Sequence, residues 1–196
     1  MKNLCIYCGS SPGARPDYAA AALAVGQALA RRGIGLVYGG GNVGMMGRVA
    51  DAVIDAGGEV IGVIPHHLAD KELAHERVTR MIRVNSMHER KQLMADLSDG
   101  FIVLPGGIGT LEELFETLTW LQLGLHGKPI GLLNVAGFFD AMLTFLDHMV
   151  AERFLKAEHR ALLIVADDLE VLLARLAAFV PPDTSKWLDG VANEMR

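Results

Sequence analysis

The feature that most narrows the fold of this chain is an alternation: short apolar runs bounded by glycine take turns with longer stretches of helical periodicity. Strands are expected at Leu4–Cys8, Gly35–Tyr38, Val60–Ile64, Arg80–Val84, Phe101–Leu104, Ile130–Leu133 and Leu162–Val165. Helices are expected at Asp17–Arg31, Met45–Ala56, His88–Leu97, Leu111–Leu123, Phe138–Glu152 and Leu169–Phe179. The strand runs are rich in Val, Ile and Leu and almost free of charge, as in a parallel sheet covered on both faces. Strands joined through helices imply right-handed crossovers. The expected fold is therefore α/β: a Rossmann-like, doubly wound, mostly parallel sheet of about seven strands with helices on both faces. The 196 residues suit a single domain, placed at 1–180, with a polar, Pro-led tail at 181–196. Such sheets bind ligands at the carboxyl ends of their strands, near the point where strand order reverses. The chemistry is to be sought just after each strand.

Composition removes several classes of function. The formal net charge is −5, which argues against general nucleic-acid binding, where a basic face must replace phosphate counterions. No uninterrupted apolar run approaches the ~18 residues of a membrane helix. The start, Met1-Lys2-Asn3-Leu4-Cys5, lacks the layout of a signal peptide, so a cytoplasmic protein is expected. The two cysteines, Cys5 and Cys8, fall in an apparent strand, where residues three apart face opposite ways, and they read as reduced thiols. Seven histidines occur without metal-ligand spacing, and neither a metal nor a cofactor is expected.

Three places carry chemistry. After the second strand comes Gly39-Gly40-Gly41-Asn42-Val43-Gly44-Met45-Met46-Gly47, where bare backbone and a helix start can approach an anion. Its formal G-x-G-x-x-G is weak evidence for a dinucleotide, because the acidic residue about 20 positions on, Glu59, falls at the wrong end of the sheet. After the fifth strand comes Pro105-Gly106-Gly107-Ile108-Gly109-Thr110-Leu111-Glu112-Glu113, a second candidate anion nest. Thr110 and Glu113 also fit a capping box, which would make Glu113 structural. Against that, helical spacing places Leu111, Leu114, Phe115, Leu118 and Leu121 on one face and Glu113 opposite, free to reach a ligand. Both readings stand at this level.

The third place is Ser86-Met87-His88-Glu89-Arg90-Lys91, with Ser86 and Glu89 as a capping box. Arg90 and Lys91 then occupy the first helical turn, where the dipole disfavours each cation by about 0.3–1 kcal/mol. Accepting this cost twice points to a nearby anion, and Arg offers a fork that grips phosphate. The bland reading is a solvated basic turn.

Taken together, these segments resemble the LONELY GUY family of cytokinin riboside 5′-monophosphate phosphoribohydrolases. Pro105–Glu113 matches the family signature P-G-G-x-G-T-x-x-E at every fixed position. Met87–Lys91 resembles its second block, and Cys8-Gly9-Ser10-Ser11 and the Gly39–Gly47 run resemble its N-terminal loops. Order and spacing agree from at least Leu4 to Ile130. The resemblance implies an AMP or N6-isopentenyl-AMP substrate, with free base and ribose 5-phosphate as products. It implies Arg90 and Glu113 as the catalytic pair, and substrate contacts from Gly9, Ser10, Gly40, Gly41, Met87, Lys91, Gly106, Gly107, Ile108, Gly109 and Thr110, the last five around the 5′-phosphate. It implies a homodimer as well. Trp120, on the same side of its helix as Glu113 and Glu116, is expected to line a base pocket or a subunit contact. The "lysine decarboxylase" label often given to the family finds no Schiff-base lysine here. The rival from another class is a non-catalytic carrier of a phosphorylated ligand, like the molybdenum-cofactor carriers. A third reading, an NAD-dependent oxidoreductase, rests on the weak glycine pattern alone.

Overall fold

A computed structural model describes residues 1–69 and 74–181. Seven strands form one sheet: β1 (Asn3–Tyr7), β2 (Gly35–Tyr38), β3 (Val60–Pro65), β4 (Arg80–Val84), β5 (Phe101–Val103), β6 (Ile130–Leu133) and β7 (Leu163–Ala166). Their order is β4-β3-β2-β1-β5-β6-β7, and every pairing is parallel. Order therefore reverses at β1, whose Cys5 sits in register with Val37 of β2 and Phe101 of β5. The helices are α1 (Pro16–Arg31), α2 (Gly44–Asp55), a single turn α3 (His66–Leu68), α4 (Met87–Asp96), α5 (Ile108–Gln122), α6 (Asp140–Ala151), a short α7 (Ala157–Arg160) and α8 (Leu169–Ala177). The expected tail lies, beyond Pro181, outside the described residues.

The period of two along β1 divides the core. Leu4, Ile6 and Cys8 face the layer with α1, α2 and α8, whereas Cys5 and Tyr7 face the layer with α4, α5 and α6. Both thiols are buried and free, and burial pushes both up from their ordinary pKa. On the first face α1 and α2 approach closely, since a Cβ on Gly26 would meet that of Ala52 at 2.5 Å. The few charges that the strands carry lie on β4, where Arg80 and Arg83 are exposed. β4 is the outermost of the described strands, where charges discourage further strand pairing. His66 and His67 open the turn α3.

Candidate active site

The loops after β1, β2 and β5 meet at the carboxyl edge of the sheet, and backbone contacts join them. The Gly9 amide donates to the Pro105 carbonyl (3.1 Å), while the Gly9 carbonyl accepts from the amides of Met45 (3.0 Å) and Met46 (3.3 Å). The glycine run after β2 thus offers its helix start to Gly9 instead of an anion. Gly44, at φ 61°, is required there because a Cβ would lie 2.2 Å from the Ser10 carbonyl carbon.

The start of α5 behaves differently. Its N-cap is Gly107, so the helix begins three residues before Leu111, and Thr110 lies inside its first turn. Of the two readings left open for Glu113, the Thr110–Glu113 capping box does not form. The amides of Ile108, Gly109 and Thr110 meet no acceptor among the described residues, and a Cβ on Gly107 or Gly109 would meet nothing within 4 Å there. Four of the five residues Gly106–Thr110 therefore edge an open space at the positive end of a 15-residue helix dipole. The fifth, Gly106, is needed for Thr110, whose Oγ1 would be 2.1 Å from a Cβ there.

That space is a cavity of about 410 Å³ between α4 and α5, floored by the ends of β1, β2 and β3. Of the residues singled out from sequence, Ser10, Gly41, Met87, Arg90, Gly107, Ile108, Gly109, Thr110 and Glu113 line it. Gly9 and Gly106 line a smaller adjoining cleft of about 210 Å³, which shares Ser10 and Gly107 with the first and is walled by Tyr18 and Phe138. Gly40 and Lys91 line neither. Gly40, at φ 74°, packs against Ile64 and Met81, and its carbonyl accepts from the His75 amide.

The two cations at the start of α4 are buried, which overturns the solvated-turn reading. Ser86 caps the helix through Oγ to the Glu89 amide (3.1 Å), and the Glu89 carboxylate accepts from the Asn85 amide (2.7 Å), one residue ahead of the cap. Arg90 donates from Nε to the Val63 carbonyl (3.1 Å) and from Nη2 to the Gly39 carbonyl (2.9 Å), while Nη1 meets the Met87 thioether at 3.8 Å. A Cβ on Gly39 would fall 1.8 Å from Nη2, so any side chain there would displace the guanidinium from this position. Lys91 turns the other way, to Glu112 (2.5 Å) and Glu116 (2.9 Å) of α5. Burial works against its ammonium, yet the bonds to the two carboxylates hold its pKa above the ordinary lysine value.

Glu113 occupies the flank of α5, beside and not opposite its buried stripe, which consists of Thr110, Leu114, Thr117, Leu118 and Leu121. Burial, reinforced by Glu112 and Glu116 and opposed by Arg90 and Lys91, pushes its carboxyl up to about 7. A carboxylate balanced between its two protonation states near neutral pH is suited to moving a proton. Trp120 lies elsewhere. It packs on the α5 layer and edges a separate depression with Gln92, Leu125 and Lys128, away from Glu113. Sequence reading missed the apolar wall of the cavity, formed by Val43, Met46, Ile64 and Leu68. Only their closeness to the carboxyl ends of β2 and β3 could have signalled it.

A family model described as "Possible lysine decarboxylase" matches residues 46–176. The cytokinin riboside 5′-monophosphate phosphoribohydrolase LOG of Oryza sativa subsp. japonica is 49% identical over 181 residues, 92% of this chain and 75% of its own. Its Arabidopsis thaliana counterpart LOG5 is 47% identical over 196 residues, all of this chain and 84% of its own. The chain belongs to the LONELY GUY family. As a LONELY GUY chain it shares its fold with the molybdenum cofactor binding protein of Rippkaea orientalis, at TM-score 0.69 and 22% identity, covering 91% of this chain and 97% of that one. At that identity the likeness concerns architecture alone, and the LONELY GUY signature Pro105–Glu113 forms the open start of α5 described above.

Proposed function

We propose that the protein is a hydrolase of N-glycosyl compounds that cleaves adenosine 5′-monophosphates, plain or N6-modified, to free base and ribose 5-phosphate. The observation that carries this reading is the union of Arg90, Glu113 and the bare α5 amides in one cavity, in a chain 47–50% identical to relatives named for this reaction. The 5′-phosphate fits the amides of Ile108, Gly109 and Thr110. In the reaction the bond from C1′ to the base nitrogen breaks with its electron pair leaving on the base, which takes up a proton. Water adds its oxygen to C1′ and gives up a proton. Positive charge grows on the ribose ring meanwhile, as in glycoside hydrolysis generally. Ionised Glu113 stabilises that charge and accepts the proton from water, and Arg90 anchors phosphate or ribose.

The test incubates purified protein with AMP and with isopentenyl-AMP and follows free base by chromatography, with Glu113→Gln as control. Release by the wild type and a loss of at least ~10²-fold in the variant is the expected result. Binding of both nucleotides by folded protein without release of base would replace hydrolysis with the carrier reading.

A homodimer is part of the proposal. Large apolar side chains stand exposed on and around α5 and α6, Phe145 at 61% and Phe154 at 85%, and a contact with a second copy would cover them. Among the described residues no helix is long and apolar enough to cross a membrane. The two free buried thiols fit a reducing compartment, which supports the cytoplasm.

A further inference from the structure

The grip on Arg90 depends on a carbonyl that has its own support. Gly39 opens the run Gly39–Gly41, three residues with no side chains to hold themselves, one of them at φ 74°. The run is fastened from outside the cavity by the segment that leads into β4. Ala74 forms an antiparallel bridge with Gly41, and the His75 amide donates to the Gly40 carbonyl (2.9 Å). The His75 side chain is buried and engaged on both sides. The Arg77 amide donates to Nδ1 (3.2 Å), so the ring proton sits on Nε2, which donates to Asp51 Oδ1 (3.2 Å) on α2. Arg77 completes the fastening, reaching the same Asp51 oxygen (2.9 Å) and, one turn along, Asp55 (2.5 Å). The imidazole is a rigid spacer between α2 and the glycine run.

We propose that His75 is a positioning residue for Arg90: locked between Asp51 and Arg77, it holds the Gly39–Gly41 run where the Gly39 carbonyl grips the guanidinium. The inference rests on the role given above to Arg90, and adds a residue outside the cavity on which that role depends. No signal in the sequence marked His75, which sits in a turn with no periodicity around it.

The first readout needs no activity. In ¹⁵N spectra of the guanidinium groups, the wild-type Arg90 Nη2 protons are expected to be held against rotation by the Gly39 carbonyl. His75→Ala is expected to free that rotation, and His75→Gln, whose side-chain amide can still donate to Asp51, to restore it. The wild-type His75 ring should show the Nε2–H tautomer. Should His75→Ala prove unfolded, Asp51→Ala cuts the same link from the face of α2 while leaving the ring in place, and is expected to give the same change. The second readout is AMP hydrolysis. His75→Ala should lower kcat/KM by about 10–100-fold, as for small misplacements of a reacting group, with His75→Gln recovering most of the loss. On an Arg90→Lys background the same substitution should cost little more, because the two act as a unit. Unchanged guanidinium spectra in His75→Ala, or a full additional loss on Arg90→Lys, would overturn the proposal. Absence of hydrolysis by the wild type would strike the proposed function alone, since the spectra still decide the role of His75.

Discussion

Glu113 shows how much one side chain's setting decides. Its carboxyl rises from an ordinary 4.5 to about 7 because burial disfavours the charge, with Glu112 and Glu116 adding to the effect. The folded chain therefore binds this proton more tightly than the unfolded chain does. Stability then falls as pH rises from 4.5 to about 7, and the cost is complete above that range. A rise of this size corresponds to at most about 3 kcal/mol. Glu113→Gln carries no charge to bury, so it should melt several degrees above the wild type at pH 8 and level with it below pH 4.5. Thermal melts at the two pH values check this, and a variant no more stable at pH 8 would show that the ionised carboxylate costs nothing there. From sequence the residue was identifiable but its setting was not. The spacing Thr110-x-x-Glu113 fits a capping box, and only the extended backbone of Gly107, which takes the cap itself, decides against it.

Between elements, the informative contact is the pairing of α4 with α5 through Lys91. Reading cations at a helix start as evidence of an anion holds for Lys91, whose anions are Glu112 and Glu116, whereas Arg90 meets two carbonyls and a thioether. Lys91 stands between carboxylates that bracket Glu113 on its helix, so it both ties the two helices and tempers their charge. Lys91→Met should raise the Glu113 pKa further above 7, since the ammonium favours its ionised form. The pH at which kcat/KM reaches half its maximum should rise by the same amount. A pH profile unmoved by the substitution would confine Lys91 to a structural tie. The strands and most helices were legible because apolar periodicity follows directly from burial on a two-faced sheet. The helix starts were less so. Which backbone donors a neighbouring loop takes up, as Gly9 does for Met45 and Met46, depends on contacts across 36 residues of chain or more, which no local pattern records.

At the scale of the whole molecule, the sheet sorts its surfaces. The carboxyl edge gathers the loops after β1, β2 and β5, while the layer with α4, α5 and α6 leaves Phe115, Leu123, Phe145 and Phe154 exposed. A stable dimer buries about 1,200–2,000 Å² in total, and these side chains offer its apolar centre. Light scattering should give twice the 21.1 kDa chain mass, and replacing Phe145 and Phe154 together by Ser should reduce it to one chain. A single-chain mass for the wild type at every concentration would remove the dimer. The carbonyls of Gly39 and Val63 that hold Arg90 are dipoles, with no net charge between them. Lys91 meets two carboxylates at short range, whereas Arg90 has no carboxylate bonded to it but shares its cavity with Glu112 and Glu113, which oppose its field. In a chain of net charge −5, with carboxylates lining the same cavity, the pull of Arg90 on a dianionic molecule acts at short range, and the rate at which such molecules arrive there should not fall steeply as salt is added.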